Sequence, residues 1–385
     1  MRILTLCYEY PPLGGGGAKV VFGLSRELAR LGHEIDIVTM GYGTLERQER
    51  SGGITVHRLR PIRRDNIVCH TSEMVRHELR AFPFALRLVR QNHYDLNHSH
   101  FIFPDGLCAL ALRKVAGLPY ILTAHGSDVP SYNPDRFINQ HKILAPAWQA
   151  VVRGARRIVC PSEHLRSLIL AQRRTARTCI IPNGLDPGKF NAERDKEPRI
   201  LVVTRMLRRK GVQKLLKAVA DMDFPYEIHI VGDGPYLPRL RELAAGSSTR
   251  VKFWGWLDND SKELKDLYET SRIFVFLSSV ENFPISLLEA MAAGMAIVTN
   301  PETGSGEVVG DCALKVNPDA PEDIRSSLMK LIIDPDLCDE LGRRARQRFE
   351  QHFTWRAIAK QCEQAYKEIT AQPFTVACTK KKAKA

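Results

Sequence analysis

Several features that mark other classes of protein are missing from this chain of 385 residues. Its apolar runs all fall well short of the ~20 residues that a membrane-spanning helix needs. The nine cysteines are scattered, with no Cys-x-x-Cys pair and no close cysteine–histidine cluster, which excludes a disulfide framework and a zinc finger. Met1 leads directly into a strand-like pattern, so we expect no signal peptide. These absences favour a cytoplasmic protein.

The charge is strongly of one sign, because 56 lysines and arginines outnumber 43 acidic residues and leave a formal net charge of +13. Such an excess attracts nucleic acids, anionic lipid headgroups or phosphorylated substrates. The sequence contains no common nucleic-acid-binding motif, so we predict no nucleic-acid partner. An anionic membrane surface and a phosphorylated substrate remain as partners.

Two basic segments bear on the membrane alternative. Arginines at positions 76, 80, 87 and 90 interleave with leucine and phenylalanine, which is typical of an amphipathic helix on an anionic membrane. An ordinary packed helix with a charged face explains the same pattern, and Pro83 argues against a continuous helix. The second segment is a basic tail, residues 371–385. Peripheral association with the inner membrane face therefore stays open beside a purely cytoplasmic location.

Short strand-like runs alternate with helical stretches along the chain, which predicts an α/β fold with parallel sheets. The length suits two domains, and a polar, turn-rich region divides the chain at residues 186–198. We therefore predict domains over residues 1–185 and 199–354, followed by a helix over residues 355–370. The expected strands are residues 1–6, 33–39, 54–59, 96–99, 120–124, 157–160 and 178–181, then 199–204, 226–231, 251–254, 272–277, 296–299 and 313–316.

The strongest functional signal lies between residues 280 and 294. This segment follows an apolar run, residues 272–277, that is typical of a buried parallel strand. Pro284 suits the first turn of a helix, so Glu281 lies on the preceding loop and Glu289 lies within the helix. Free N–H groups at a helix N-terminus suit a diphosphate, and a carboxylate accepts hydrogen bonds from vicinal hydroxyls. Together these features describe a site for a nucleotide sugar.

A loop acid and a solvated helix acid would be the ordinary explanation, since most acidic side chains are exposed. Glu289, however, is embedded in Leu287-Leu288-Glu289-Ala290-Met291. Burying a carboxylate without a partner in such surroundings would be costly. This context favours a functional role for Glu289.

Arg205 and Lys210 follow another apolar run, residues 199–204. Two cations at the carboxyl end of a parallel strand suit a diphosphate, and a solvated basic loop explains them equally well. Gly16 and Gly17 end a glycine run after the first strand, where backbone N–H groups can approach a phosphate closely; a flexible turn is the alternative. The segment 258–260 is formally an Asp-x-Asp metal motif, which we interpret as a polar turn and helix cap.

Three histidines follow predicted strands. His125 ends the strand at residues 120–124, although a lone histidine is more often structural. His98 and His100 end the preceding strand, and we expect one of them to line an acceptor cleft. They also suggest a metal pair, but the sequence offers no third ligand at a suitable spacing. We therefore predict no metal site.

These motifs resemble the family-four retaining glycosyltransferases, which have the GT-B fold. The match runs over most of the chain, from the N-terminal glycines to Trp355, and two positions depart from the family pattern. Asn282-Phe283-Pro284 stands where the family more often has Gly-Phe-Gly, and Thr204 replaces a glycine. The matching elements are the Glu-x7-Glu signature (Glu281, Glu289), the Arg-x4-Lys pair (Arg205, Lys210), the sugar-facing histidine (His125) and the Gly-Gly loop (Gly16, Gly17).

The resemblance implies two Rossmann-like domains with parallel sheets facing across a cleft, and a last helix that crosses back onto the first domain. It also implies metal-independent, cofactor-free transfer, with retention, from a UDP- or GDP-linked sugar to a glycan or lipid-linked acceptor. The implied catalytic residues are Glu281, His125, Arg205 and Lys210, and the implied nucleotide-sugar-binding residues are Gly16, Gly17, Arg205, Lys210, Phe283, Pro284, Ile285 and Glu289. The alternatives are a nucleotide-sugar epimerase of the same fold and a non-catalytic sugar-nucleotide-binding protein.

Overall fold

The computed structural model describes residues 1–60, 63–65, 69–133 and 138–371. The first part of the chain forms one sheet, in which neighbouring strands pair in parallel except for the edge strand β3, which is antiparallel to β4. Its spatial order is β3-β4-β2-β1-β5-β6-β7-β8. In chain order the strands are β1 (Arg2–Leu6), β2 (Glu34–Thr39), β3 (Gln48–Ser51), β4 (Ile54–Arg58), β5 (Leu96–His100), β6 (Tyr120–Thr123), β7 (Arg157–Cys160) and β8 (Thr178–Ile180).

The second part forms a separate, wholly parallel sheet of six strands in the order β11-β10-β9-β12-β13-β14. The middle residues of its central strands are mainly apolar and buried, because helices cover both faces of a parallel sheet. The strands are β9 (Glu197–Val203), β10 (Glu227–Val231), β11 (Val251–Gly255), β12 (Ser271–Phe276), β13 (Ala296–Thr299) and β14 (Leu314–Lys315).

Helices connect the parallel strands, and several begin at a side-chain cap. Ser162, Ser261 and Thr354 each accept a hydrogen bond from a backbone N–H of the first helical turn, which satisfies a donor that has no partner within the helix. The helices are α1 (Gly16–Arg30), α2 (Thr71–Gln91), α3 (Asp105–Ala116), α4 (Ile138–Gly154), α5 (Glu163–Gln172), α6 (Val212–Val219), α7 (Leu237–Ala245), α8 (Lys262–Thr270), α9 (Ile285–Ala292), α10 (Gly304–Val309), α11 (Pro321–Ile333), α12 (Pro335–His352) and α13 (Trp355–Thr370).

The last helix, α13, belongs to the core of the first domain. Its residues Trp355, Ile358 and Tyr366 pack in one cluster with apolar residues of β1 and α1. Gly23 of α1 permits this contact, because a Cβ atom at this position would lie 2.2 Å from the Trp355 ring. The chain therefore returns from the second sheet to the first, and α13 fixes the two domains to each other.

The predicted α/β fold with two parallel-sheet domains is confirmed, and every expected strand is present within two residues of its predicted bounds. Three details differ. Strand β3 was not expected, α2 continues through Pro83, and β9 begins at Glu197, inside the stretch expected to be a linker. Helix α2 tolerates Pro83 because this residue is exposed, where water can satisfy the freed carbonyl group. The helices in the described parts of the chain all lack the combined length and apolar character needed to cross a membrane.

Candidate active site in the cleft between the two sheets

A cavity of about 870 Å³ opens between the two domains and is lined by residues of both. Its position follows from the topology, because loops at the carboxyl ends of β1, β6, β9 and β12 converge on it. Nine of the ten predicted site residues line this cavity, and Glu289 alone lies outside it. Those nine are Gly16, Gly17 and His125 from the first domain, and Arg205, Lys210, Glu281, Phe283, Pro284 and Ile285 from the second.

Lys210 and Glu281 form a direct ion pair on one wall of the cavity, with both side chains nearly buried. Lys210 ends a short 3₁₀ turn, and Gly211 follows in the left-handed conformation with a φ of 77°. A Cβ atom at Gly211 would lie 2.2 Å from the carbonyl oxygen of Leu277, so only glycine allows the cation loop to approach the end of β12. This close approach brings Lys210 within reach of Glu281.

Arg209 also lines the cavity and was missed by the sequence analysis. Its carbonyl oxygen accepts a hydrogen bond from the backbone N–H of Ser279, which joins the cation loop to the segment before Glu281. The arginine-rich run between Arg205 and Lys210 was the available signal. The run alone does not indicate which of its side chains face the cleft.

The loop that carries Glu281 is fixed by contacts to its neighbours. The Ser162 hydroxyl donates a hydrogen bond to the Asn282 side-chain oxygen at 2.7 Å, across the boundary between the domains. A Cβ atom at Gly304 would lie 1.5 Å from the Asn282 carbonyl oxygen, so this glycine is required for the close packing. Phe283 is buried against Phe353. The loop is therefore held in place before any ligand binds.

Helix α9 begins at Ile285, so Pro284 is its N-cap and lies one residue before the first turn in which we predicted it. The N-terminus of this helix lies at the cavity, since Pro284 and Ile285 both line the wall. The first N–H groups of a helix have no partner within the helix and carry its positive dipole end. This end of the cavity is therefore suited to anionic or hydroxyl oxygens.

Glu289 lies in the next turns of α9 and is 4% exposed. One of its carboxylate oxygens lies 2.5 Å from Nζ of Lys189, and the other accepts a hydrogen bond from the Tyr268 hydroxyl at 3.0 Å. These two partners explain how an acidic residue is accommodated in an apolar segment. Lys19, at the start of α1, is also close enough to interact with this carboxylate. Burial and the neighbouring Lys189 ammonium lower the pKa of Lys19, and the Glu289 carboxylate acts in the opposite direction. The surroundings of Glu289 thus include residues of both domains.

His125 lines the cavity and packs against Phe101, with ring centroids 4.3 Å apart and the two planes tilted by 38°. Its Nε2 atom lies 3.2 Å from Nδ1 of His100, and its backbone N–H donates to Asp128 at 3.0 Å. Burial lowers the pKa of His125 to about 3, so the imidazole is neutral at physiological pH. Gly17 packs against the same aromatic ring, since a Cβ atom there would lie 2.7 Å from Phe101.

His98 and His100 are buried behind His125, and the expectation that one of them lines the cleft was wrong. His98 is within hydrogen-bonding distance of the Tyr366 hydroxyl at 2.6 Å and of the Thr123 hydroxyl at 2.8 Å. Burial lowers the pKa of His98 to about 3. This histidine therefore connects β5 to α13 as a neutral core residue.

Two groups bear on metal binding. The Asp258 side chain accepts a hydrogen bond from the Asp260 N–H at 2.9 Å, and Ser261 caps α8, so the Asp-x-Asp segment is a turn that leads into a helix. Within the described residues, one group of three, His77, Glu78 and Asp105, has potential ligand atoms within 4.8 Å of one another. Burial lowers the pKa of His77 to about 4 and raises that of Glu78 to about 8, which favours their neutral forms.

Two parallel-sheet domains, with Glu281 and the cations Arg205 and Lys210 lining the cleft between them, define a glycosyltransferase of the GT-B class. Residues 14–189 match Glycosyltransferase Family 4, and residues 188–348 match Glycosyl transferases group 1. The chain belongs to the group 1 glycosyltransferases of family four, as its motifs indicated.

Relatives and solved structures agree with this membership. An uncharacterized glycosyltransferase of Methanocaldococcus jannaschii is 26% identical, over 95% of this chain and 98% of its own length. Sucrose-phosphate synthase from Thermosynechococcus elongatus has the same fold, with a TM-score of 0.80 at 22% identity over 96% of this chain and 99% of that one. HepE from Anabaena, solved with UDP-glucose, gives a TM-score of 0.72 at 18% identity over 96% and 100%.

Proposed function

We propose that this glycosyltransferase moves a hexosyl group, with retention and without a metal, from a UDP- or GDP-linked sugar to a glycan or lipid-linked acceptor. The observation that carries the proposal is the wall of the cleft where Arg205, Lys210 and Glu281 meet the N-terminus of α9. Two cations and a helix N-terminus suit a diphosphate. The adjoining carboxylate is placed to meet the sugar that the diphosphate carries.

Arg205 and Lys210 would bind the diphosphate and stabilise it as it leaves, which makes a divalent cation unnecessary for that step. Lys210 is paired with Glu281 in the structure, so a bound diphosphate competes with Glu281 for the same ammonium group. The carboxylate released from Lys210 would then lie beside the transferred sugar. Donor binding and the positioning of Glu281 would in this way be coupled through one lysine.

Glu281 would act electrostatically, by stabilising the positive charge that develops on the sugar in an oxocarbenium-like transition state. The loop residues Phe283, Pro284 and Ile285 would surround the sugar, and Glu289 would bind the ribose hydroxyls. Each Glu289 oxygen already has one partner, Lys189 or Tyr268, and a carboxylate oxygen can accept a further hydrogen bond from a ribose hydroxyl. We assign no protein nucleophile to the retaining step.

The acceptor would enter from the first domain, where His125, Gly16 and Gly17 face the donor side of the cavity. The Nε2 atom of the neutral His125 is paired with His100, so its Nδ1 atom is the ring nitrogen that would meet a sugar hydroxyl. The presence of UDP-glucose in Anabaena HepE supports a nucleotide-sugar donor for a chain of the same fold. The net charge of +13 supports an anionic acceptor or carrier at a membrane surface.

Thermal denaturation in the presence of individual UDP- and GDP-sugars tests the proposal. A ligand that binds only the folded protein raises the melting temperature, so the cognate donor should stabilise and the other base should not. Donor-dependent release of UDP or GDP, with a sugar joined to an added acceptor, would then establish transfer. Nucleotide release that leaves the acceptor unchanged would favour the epimerase, and binding without turnover would favour the non-catalytic protein.

A further inference from the structure

The cavity extends beyond the donor wall into an apolar groove between α2 and α3. Side chains that the donor and its diphosphate do not use line this part, and we call it the α2–α3 groove: Met74, Val75, Leu79, Phe82, Leu107 and Ala111. The groove and the donor wall belong to one continuous cavity. A molecule in the groove can therefore reach the reacting centre without leaving the protein.

Two faces of helix α2 differ in what they contact. Residues Glu73, His77, Ala81 and Ala85, spaced four apart, form the buried face. Val75, Leu79 and Phe82 lie on the face that lines the groove. Val75 is 55% exposed and Leu79 is 72% exposed, so this face remains open.

Several exposed apolar side chains lie at this groove or beside it in the same cavity. Of the eleven large apolar residues that are exposed in the described chain, Val75, Leu79, Leu107 and Leu144 all line this one cavity. Single exposed apolar residues are normal on protein surfaces, whereas several along one concave edge mark a binding site for an apolar ligand. Exposing these apolar side chains to water is unfavourable, and an apolar ligand would remove them from it.

The surroundings of the groove are positively charged. Arg76, Arg80, Arg87 and Arg90 are exposed on α2, next to the groove-lining face. The one acid of α2 in the groove, Glu78, has its pKa raised by burial to about 8 and is therefore protonated at neutral pH. An uncharged apolar groove beside exposed arginines complements a molecule with a hydrocarbon part and an anionic head group.

We propose that the α2–α3 groove binds the hydrocarbon chain of a membrane-anchored acceptor with an anionic head group, and so makes a lipid the acceptor class. This inference rests on the proposed transferase function. The chain lies along Val75, Leu79 and Leu107, the arginines of α2 meet the anionic group, and the acceptor hydroxyl reaches His125 and the donor sugar. Helix α2 lies at the membrane surface while the donor enters from the opposite side of the cleft.

A long-chain alkyl phosphate with a photoreactive diazirine on its chain tests the groove in the full-length protein. We expect cross-links in α2 and α3, displaced by unlabelled long-chain alkyl phosphate but not by inorganic phosphate. The double variant Val75→Gln and Leu79→Gln should weaken binding about tenfold, because two contacts with the chain are lost. The matched control is Val115→Gln with Ile333→Gln, which replaces side chains that are 58% and 71% exposed and lie outside the cavity.

Cross-links spread over other surfaces, or equal losses in both double variants, would overturn the proposal. A dimer in sedimentation velocity that the Val75 and Leu79 variant dissociates would show instead that a second copy of the chain covers the groove. Calorimetric titration with UDP and GDP separates this inference from the proposed function. Unchanged nucleotide binding in a variant that loses the alkyl phosphate supports the lipid groove, whereas a wild-type protein that binds neither nucleotide contradicts the donor site.

Discussion

Replacing Lys210 with alanine removes the cation that the structure pairs with Glu281. Losing one charged hydrogen-bond partner of the diphosphate should cost about 1.5–3 kcal/mol, which raises the dissociation constant by roughly ten- to more than a hundredfold. A second effect adds to this cost. The Glu281 carboxylate, no longer paired, would repel the incoming diphosphate, so we expect a loss in the upper part of that range.

Calorimetric titration with UDP and GDP measures this loss directly. Arg205→Ala should weaken binding in the same direction, because Arg205 lines the same wall. Arg208→Ala is the matched control, since Arg208 belongs to the same turn but is exposed and lies outside the cavity. Circular dichroism and thermal melting serve as the controls for correct folding of each variant.

A double-mutant cycle separates the two contributions. If repulsion by Glu281 is part of the cost, Lys210→Ala should lose less affinity in a Glu281→Gln background than in the wild type. Equal losses in the two backgrounds would contradict the competition between diphosphate and Glu281. Unchanged affinity of the cognate nucleotide in both Arg205→Ala and Lys210→Ala would remove the diphosphate assignment itself.

Three further predictions concern the two glutamates, metal dependence and membrane association. Glu281→Gln should lower turnover more than donor affinity, and Glu289→Gln should mainly weaken nucleotide binding; steady-state kinetics with the reverse pattern would mean that the two roles are exchanged. Transfer should survive EDTA, and a loss that Mg²⁺ or Mn²⁺ restores would return a metal role to residues 258–260 or to the histidines. The protein should co-sediment with anionic but not neutral liposomes, and increasing salt should release it, because basic residues near an anionic surface contribute about 1 kcal/mol each; replacing Arg80 and Arg87 with glutamine should weaken this association.

The fold was largely predictable because many of its strands contain runs of buried apolar residues, which leave a strong local signal. Strand β3 is exposed at a sheet edge and made of polar residues, so no apolar pattern marks it. Pro83 was misleading for a related reason, since its helix is held by the packing of distant residues against α3 and not by local propensity. Local patterns therefore predicted the strands that contain buried apolar runs. They missed the elements whose formation depends on tertiary contacts.

The candidate site was predictable where motif residues follow directly from strand ends. Arg205, Lys210 and Glu281 come together because loops at the carboxyl ends of neighbouring parallel strands must meet. The partners of the acidic residues were not predictable, since Lys189 and Glu289 are 100 positions apart in the chain. Likewise, His98 lies within β5 and contacts Tyr366 of α13, whereas His125 follows β6 and lines the cavity; the sequence did not show which histidine is buried under α13.

The contacts across the domain boundary link the position of Glu281 to the arrangement of the two sheets. Asn282, the residue next to Glu281, accepts a hydrogen bond from Ser162 of the first domain. Glu307 of the second domain accepts the backbone N–H groups of Glu163 and His164 at the N-terminus of α5, at 2.6 and 2.9 Å. A carboxylate at a helix N-terminus is favoured by the free N–H groups and by the dipole, so this contact holds the domains together. Opening the cleft would break both contacts and leave the Asn282 side chain, next to Glu281, without its partner from the first domain. The packing of Gly304 and Phe283 within the second domain would still hold the loop backbone, so the hydrogen bonds across the boundary tie the side chains beside Glu281 to the closed arrangement.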